Sequence, residues 1–333
     1  FRLAHPATMN AVMFSKLLIV MTVLLALVSV LCLMLTQPTG TGQRQGPRVS
    51  VEAATLERLV RAVAVPRDYR DTATLDRIAA LISQELQGLG LAPTMQTFTA
   101  AGRTYRNVRV LIGDPSVPRV VVGAHYDSCE PLPAADDNAS GVAVVLELAR
   151  LFAQHRPPSA VELSFWPLEE PPFFRTESMG SFVHAQSLAQ SRTPVKAMLS
   201  IESVGYFRTE PGSQHFAVPG AALLLNDVGE DIYVVSDFSA IGLLRTVKRA
   251  MRSSSTVPVR SITAPKFIPG VDWSDHQGFL LHGFPAVMIT DTAPNRNPNY
   301  HQPTDTPETL DYPRMAQVTQ GLFEAVWALA SSD

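Results

Sequence analysis

Apolar positions recur at helical spacing early in the chain and later gather into short continuous runs. Leu56, Leu59, Val60 and Val63 share one helical face. Leu75, Ile78, Ala79, Ile82 and Leu86 repeat that pattern until Gly88 and Gly90 stop it. RVVVGAHYD (119–127), AVELSFWPLEE (160–170), VKAMLSIE (195–202) and FPAVMITD (284–291) are apolar runs of strand length. Between and after them, 141–154, 178–190, 241–251 and 312–330 carry helical periodicity. The alternation predicts a single α/β domain over 49–333, a mixed, mostly parallel central sheet with helices on both faces. In such sheets the ligand site lies beyond the carboxyl ends of the strands.

One run breaks this pattern. Leu17 to Leu35 contains no charged residue, and as a helix it extends roughly 28 Å, close to the hydrocarbon thickness of a bilayer. Thr36-Gln37-Pro38 follows it with no small-residue cleavage pattern. We read 17–35 as an uncleaved single-pass transmembrane anchor, with 1–16 as its flank and 36–48 as a linker. QPTGTGQRQGP (37–47) has the Gly, Pro and polar composition of a flexible connection. Basic residues on both sides, Arg2 and Lys16 before and Arg44 and Arg48 after, leave the orientation open.

Composition narrows the function. A net charge of -3 with no long basic run argues against non-specific nucleic-acid binding. Cys32 lies in the apolar run and Cys129 is the one thiol of the soluble part, so no disulfide forms within that part.

The polar residues at the strand ends carry the chemistry. In PAADDNASG (133–141), Asp136 and Asp137 are adjacent carboxylates, which repel unless a cation or hydrogen-bond donors lie close. The predicted strands reach His125 and Asp127, Glu169 and Glu170, and Glu202, and His301 precedes the last helix. Histidine nitrogen and carboxylate oxygen are zinc ligands, and two zinc ions roughly 3.5–4 Å apart need a bridging carboxylate, a part either aspartate can fill. His125 and Asp127 stand two apart in extended chain, so Asp127 can accept the other ring proton and fix the tautomer. Glu169 and Glu170 point opposite ways in extended chain, so one can bind metal while the other acts as a base.

GAHYDS, ADDNASG, LEE, IESVGY and NYHQPTDT, in this order, resemble the di-zinc aminopeptidase family, from about Thr72 to the C-terminus. The resemblance implies two Zn2+ per chain. His125, Asp137 and Glu202 would hold one, and Asp137, Glu170 and His301 the other, with Asp137 as the bridge. It makes Glu169 the general base and Asp127 the orienting residue. It implies peptide substrates with a free N-terminus and a periplasmic or extracellular catalytic domain. Asp136 is then expected to cap a helix or bond nearby backbone.

The chain departs from the family in places. Glu202 stands where the family often has aspartate. Pro171 to Ser181 adds aromatics that would wall the site or simply pack. Asp275 and His276 of VDWSDHQGF are expected to support the site, and Val271 replaces a tyrosine that some members use on the substrate carbonyl. Tyr206 and His276 are the candidate oxyanion donors. Cys129 is expected to be a packed or semi-exposed thiol rather than a ligand, and His155, His184, His215 and His282 packing or surface residues. The sequon at Asn138 lies inside the metal loop, which disfavours glycosylation. Two alternatives are a glutaminyl cyclase-like acyltransferase with one zinc and a non-catalytic receptor-type ectodomain with none. The sequence leaves the oligomeric state open.

Overall fold

The computed structural model describes residues 6–217 and 225–332; the first five residues of the predicted flank lie outside them. Helix α1 (Pro6–Thr36) contains the apolar run, and its Phe14–Thr36 portion is long and apolar enough to cross a membrane. Helices α2 (Ala53–Val63) and α3 (Thr72–Gly88) follow, with the predicted apolar faces buried. The strands are β1 (Thr94–Ala100), β2 (Arg103–Ile112), β3 (Arg119–His125), β4 (Ala160–Trp166), β5 (Val195–Glu202), β6 (Ile232–Ser236), β7 (Val259–Thr263) and β8 (Ala286–Thr290). They form one sheet in the order β1-β2-β4-β3-β5-β8-β6-β7.

The four inner strands β4, β3, β5 and β8 are parallel. Covered on both faces, they are largely apolar runs, with Glu162 of β4 among the polar exceptions. The edges differ. β1 and β2 make an antiparallel hairpin whose turn, Ala101 and Gly102, has positive φ at both residues, as a two-residue turn between twisted strands requires. β6 runs antiparallel to β8, and β7 parallel to β6. Alternate residues sort to the two faces: Val120 and Val122 join one core with Leu199, and Val121 joins another with Trp166 and Met198.

Helix α4 (Gly141–Gln154) is buried along nearly its whole length. It and α9 (Tyr312–Ser331) supply the larger core, together with α6 (Ile241–Arg252). Helices α5 (Gly180–Gln190) and α7 (His276–Leu281) close the other face, with Leu188 and Phe279 in its core. A short α8 (Ala293–Arg296) precedes the His301 loop.

Two strand boundaries differ from expectation. The first strand stops at His125, and the second at Trp166, where Leu168 takes a positive φ of 69°. Glu169 and Glu170 therefore stand beyond the end of the strand, with a bend at Glu170. Segment 37–47 has no regular structure, in keeping with its composition, yet it is laid against the domain. Gly42 N–H donates to Arg249 O at 3.0 Å, and the Gln45 and Gly46 N–H groups donate to the Glu324 carboxylate. A Cβ at Gly42 would come within 2.9 Å of Arg249 O, and one at Gly46 within 2.9 Å of the Trp327 ring. These glycines serve close approach here.

Candidate metal centre

The ends of three inner strands and the His301 loop meet at one point above the sheet. His125, the last residue of β3, is fully buried. Its Nε2 lies 3.1 Å from Asp137 Oδ1 and 3.3 Å from Glu202 Oε2, and its Nδ1 lies 3.4 Å from Asp127 Oδ1. The other oxygen of Asp137 lies 3.1 Å from His301 Nε2, which is 3.3 Å from Glu170 Oε1. Asp137 thus stands between the two histidines, one oxygen to each. Asp127 has a second task, accepting the backbone N–H groups of Glu169 and Glu170 at 3.2 Å each. It joins the end of β3 to the segment after β4.

Neighbouring groups hold this arrangement. Glu202 accepts hydrogen bonds from Ser274 Oγ (2.7 Å) and Ser203 Oγ (3.1 Å). Asp305 accepts the N–H groups of Asp136 and Asp137. Asp136 accepts from Gly205 N–H and Asn297 Nδ2 at 2.9 Å, so of the two expected uses it bonds backbone and caps no helix. The start of α4 is capped instead by Asn138, whose Oδ1 accepts from Gly141 N–H and Ser203 N–H while its Nδ2 donates to Ile201 O. This fully engaged, buried amide has no room for a glycan.

Arg67 is completely buried and donates to the carbonyls of Tyr126, Val65, Pro133 and Ala134, pinning both ends of the loop between His125 and Asp137. Burial lowers its pKa to about 10, which leaves it charged at neutral pH.

The centre is strongly acidic. Burial, reinforced by Glu202, Glu170 and Asp275 and opposed by His125, holds Glu169 well above the usual carboxylate range. Burial and the Asp137 charge push Glu170 up to about 7. Burial alone would lower His125, yet the facing carboxylates of Glu202, Asp127 and Asp137 raise it well above its ordinary value.

The donor set fits a cation. His125 Nε2, Asp137 Oδ1 and Glu170 Oε1 are buried without a hydrogen-bond partner, although His125 Nε2 faces Asp137 Oδ1 and Glu170 Oε1 faces His301 Nε2. Buried polar atoms left in this way are costly unless something binds them, and nitrogen and carboxylate oxygen are what zinc takes. Among the described residues, the potential ligand atoms fall into two groups, each within 4.8 Å: His125, Asp137 and Glu202, and Cys129, Glu170 and His301. Glu169 belongs to neither group, yet it lines the same cleft.

The structure also brings in residues that sequence reasoning passed over. Cys129, read as a packed or semi-exposed thiol and half-buried here, stands in the second group. Tyr300 stacks on His301 with ring centres 3.9 Å apart and lines the cleft. Neither Tyr206 nor His276 lines it, and His276 Nε2 is engaged with Val271 O at 2.9 Å. Of the aromatic pair after the glutamates, Phe174 walls the cleft and Phe173 packs against Tyr69 and Tyr105. His184 is buried and packed, as expected.

The sequence profile of Peptidase family M28 matches residues 107–326. YfbL, an uncharacterized protein of Escherichia coli, is 42% identical over 82% of this chain and 87% of its own length. A probable aminopeptidase of Saccharomyces cerevisiae is 25% identical over 64% of this chain, which spans about half (53%) of that longer protein. Among solved structures, the LapA aminopeptidase of Legionella pneumophila is similar in fold, with a TM-score of 0.66, 18% identity and coverage of 86% of this chain and 78% of that one. A glutaminyl cyclase from Fimbriiglobus ruber is also similar, with a TM-score of 0.64, 15% identity and coverage of 86% and 98%.

Proposed function

Because the chain belongs to Peptidase family M28 and is a zinc metallopeptidase by that membership, we propose that it is an aminopeptidase with two zinc sites that share Asp137. His125 and Glu202 complete one site, and Glu170 and His301 the other. One observation carries this reading. Asp137 presents one oxygen to each histidine, with Glu202 behind the first and Glu170 beside the second.

Zinc, when bound, supplies Lewis acidity that makes water a nucleophile at neutral pH and polarises the peptide carbonyl. The protein's own groups do the rest. Glu169, inside the cleft but outside both ligand groups, takes a proton from the attacking water and passes it to the leaving amine. The water oxygen bonds to the carbonyl carbon as the C–N bond breaks, so atoms and protons balance. Asp127 Oδ1, 3.4 Å from His125 Nδ1, faces that ring nitrogen and orients the ring. Tyr300 is kept protonated by burial and by the carboxylates around it, so it offers an O–H donor at the cleft wall. The acidic lining favours a free terminal ammonium, hence an exopeptidase acting on the first peptide bond.

Helix α1 is the single membrane anchor in this reading, with the catalytic domain on the periplasmic or extracellular side.

The adjacent glutamates test the assignment. Glu169→Gln is expected to lose on the order of 10²–10⁴ in kcat while keeping both metal equivalents. Glu170→Gln is expected to lose one equivalent and recover activity in part with excess zinc. kcat and bound zinc are measured on both variants, with an N-acetylated peptide as the control that must resist cleavage. Zinc loss in Glu169→Gln alone, or cleavage of the acetylated peptide at a similar rate, overturns the reading.

A further inference from the structure

The cleft that holds the metal ligands has a second, apolar arm. The whole cleft has a volume of about 670 Å³ and is lined by Asp137, Glu169 and Glu202 as well as by Leu31, Leu35 and Thr36 of α1. Leu31 and Leu35 are one turn apart on one face of that helix. Ile262, Ile268 and Trp273 line the same cleft. The predicted anchor is therefore a wall of the cleft as well as a tether.

The contact with the helix end is built. The last carbonyls of a helix lack intrahelical partners, and here the domain supplies them. Lys248 Nζ donates to Thr36 O (2.9 Å) and Gln37 O (2.5 Å), and Ser261 Oγ to Thr36 O (2.7 Å). Lys248 is only 2% exposed, and Ser261 Oγ accepts its third bond at 2.8 Å. Arg252 Nη1 holds Thr39 O at 2.6 Å.

The segment after β7, which forms part of the cleft, carries exposed aromatics: Phe267 is 79% exposed and Trp273 37%. Aromatic side chains of this kind favour the membrane–water boundary. The Phe14–Thr36 span of 23 residues is roughly 34 Å long as a helix, slightly more than the hydrocarbon layer. Its C-terminal end, with Leu31 and Leu35, then falls at the edge of that layer.

We propose that the apolar arm is a substrate subsite open to the membrane interface, and that the substrates are peptides whose apolar N-terminal segment is partitioned into that interface. Such a peptide enters along Leu31 and Leu35, and its terminal ammonium reaches the carboxylates at the far end. This rests on the aminopeptidase reading and on α1 as a membrane span. The acidic end distinguishes a peptide from a lipid, because an acyl chain fills the apolar arm but presents no ammonium to Glu169 and Glu170.

The test uses the full chain in phosphatidylcholine vesicles. Two substrates share the same N-terminal residue: a soluble tripeptide and an amphipathic peptide that partitions into the vesicles. The ratio of kcat/KM for the partitioned peptide to that for the tripeptide is measured. It is expected to exceed ten in the unaltered chain and to fall at least tenfold in a Leu31→Ala, Leu35→Ala double variant. Trp273→Ala, which leaves the span untouched, is expected to lower it in the same direction. A ratio near one in the unaltered chain, or a ratio unmoved by both variants, overturns the proposal while the aminopeptidase reading stands. If the unaltered chain cleaves neither peptide, that reading fails, and the subsite falls with it.

Discussion

Two buried acidic places in this molecule solve the same problem in different ways. Glu162, on β4, is buried, and burial alone would raise its pKa. It is held down at about 2 because the protein surrounds it with its own donors and cations. His184 Nε2 lies 3.0 Å from it, Arg119 Nη1 2.6 Å, and Arg109 Nη1 3.7 Å. Trp166 Nε1–H donates to His184 Nδ1, which leaves the proton on Nε2 for Glu162. At the carboxyl ends of the strands the balance is reversed. Glu169, Glu170 and Glu202 are raised, and Arg67, close by, spends its donors on backbone carbonyls. A buried carboxylate matched by protein cations is structure. A buried cluster faced by histidine nitrogens instead of arginines is a donor set that suits a metal cation.

Chelation breaks this comparison most directly. Stripping the metal is expected to remove more than about 10²-fold of the activity, since the water loses its activation. It is also expected to lower the thermal midpoint by several degrees, because the acidic cluster is left uncompensated. Zinc should restore both. Calorimetry and a peptide assay on the same sample check this, and an unmoved midpoint would mean that the cluster tolerates its own charge.

Glu162 provides the opposite control. Its folded value, about 2, lies below its ordinary 4.5, so its stabilising contribution is complete above about pH 4.5 and fades as pH falls toward 2. Glu162→Gln is expected to cost on the order of 2 kcal/mol at neutral pH, with the gap from the unaltered protein closing between pH 4.5 and 2. Denaturant unfolding at several pH values measures this. A gap that widens on acidification would reverse the assigned sign.

Cys129→Ser tests the edge of the acidic cluster and should have the smallest effect. With Asp137, Glu170 and His301 already available, the variant is expected to keep both zinc equivalents, with affinity within roughly tenfold. Loss of one equivalent in a metal titration would make the thiol a full ligand.

The sequence made some of this plain and concealed the rest. Helix α4 runs from Gly141 to Gln154 as its periodicity predicts, and four of the inner strands were visible as apolar runs. The five proposed ligands with Glu169 and Asp127 could be named because their motifs, in their order along the chain, resemble the di-zinc aminopeptidase family, and the structure brings them together. The strands β1, β2, β6 and β7 were not visible. β6 and β7 are five residues each, and the edge strand β1 and its neighbour β2 are broken by polar and charged side chains. Arg67 and Asp305 were also hidden, since their partners are backbone groups about 60 and 170 residues away in sequence. The 37–47 segment read as slack because glycine, proline and polar residues usually are. The contacts at Gly42 and Gly46 belong to tertiary structure and leave no trace in composition.

Those two glycines carry a mechanical consequence. A slack tether would let a domain tumble about its anchor and present any side to the bilayer. A strap fastened at Lys248, Arg252, Arg249 and Glu324 acts as a rigid bracket, so torque on the domain passes to the helix. With the span seated in a bilayer, the remaining freedoms would be drift in the plane and spin about the membrane normal. The search for a target would then cover an area instead of a volume, with the mouth of the cleft kept at constant depth.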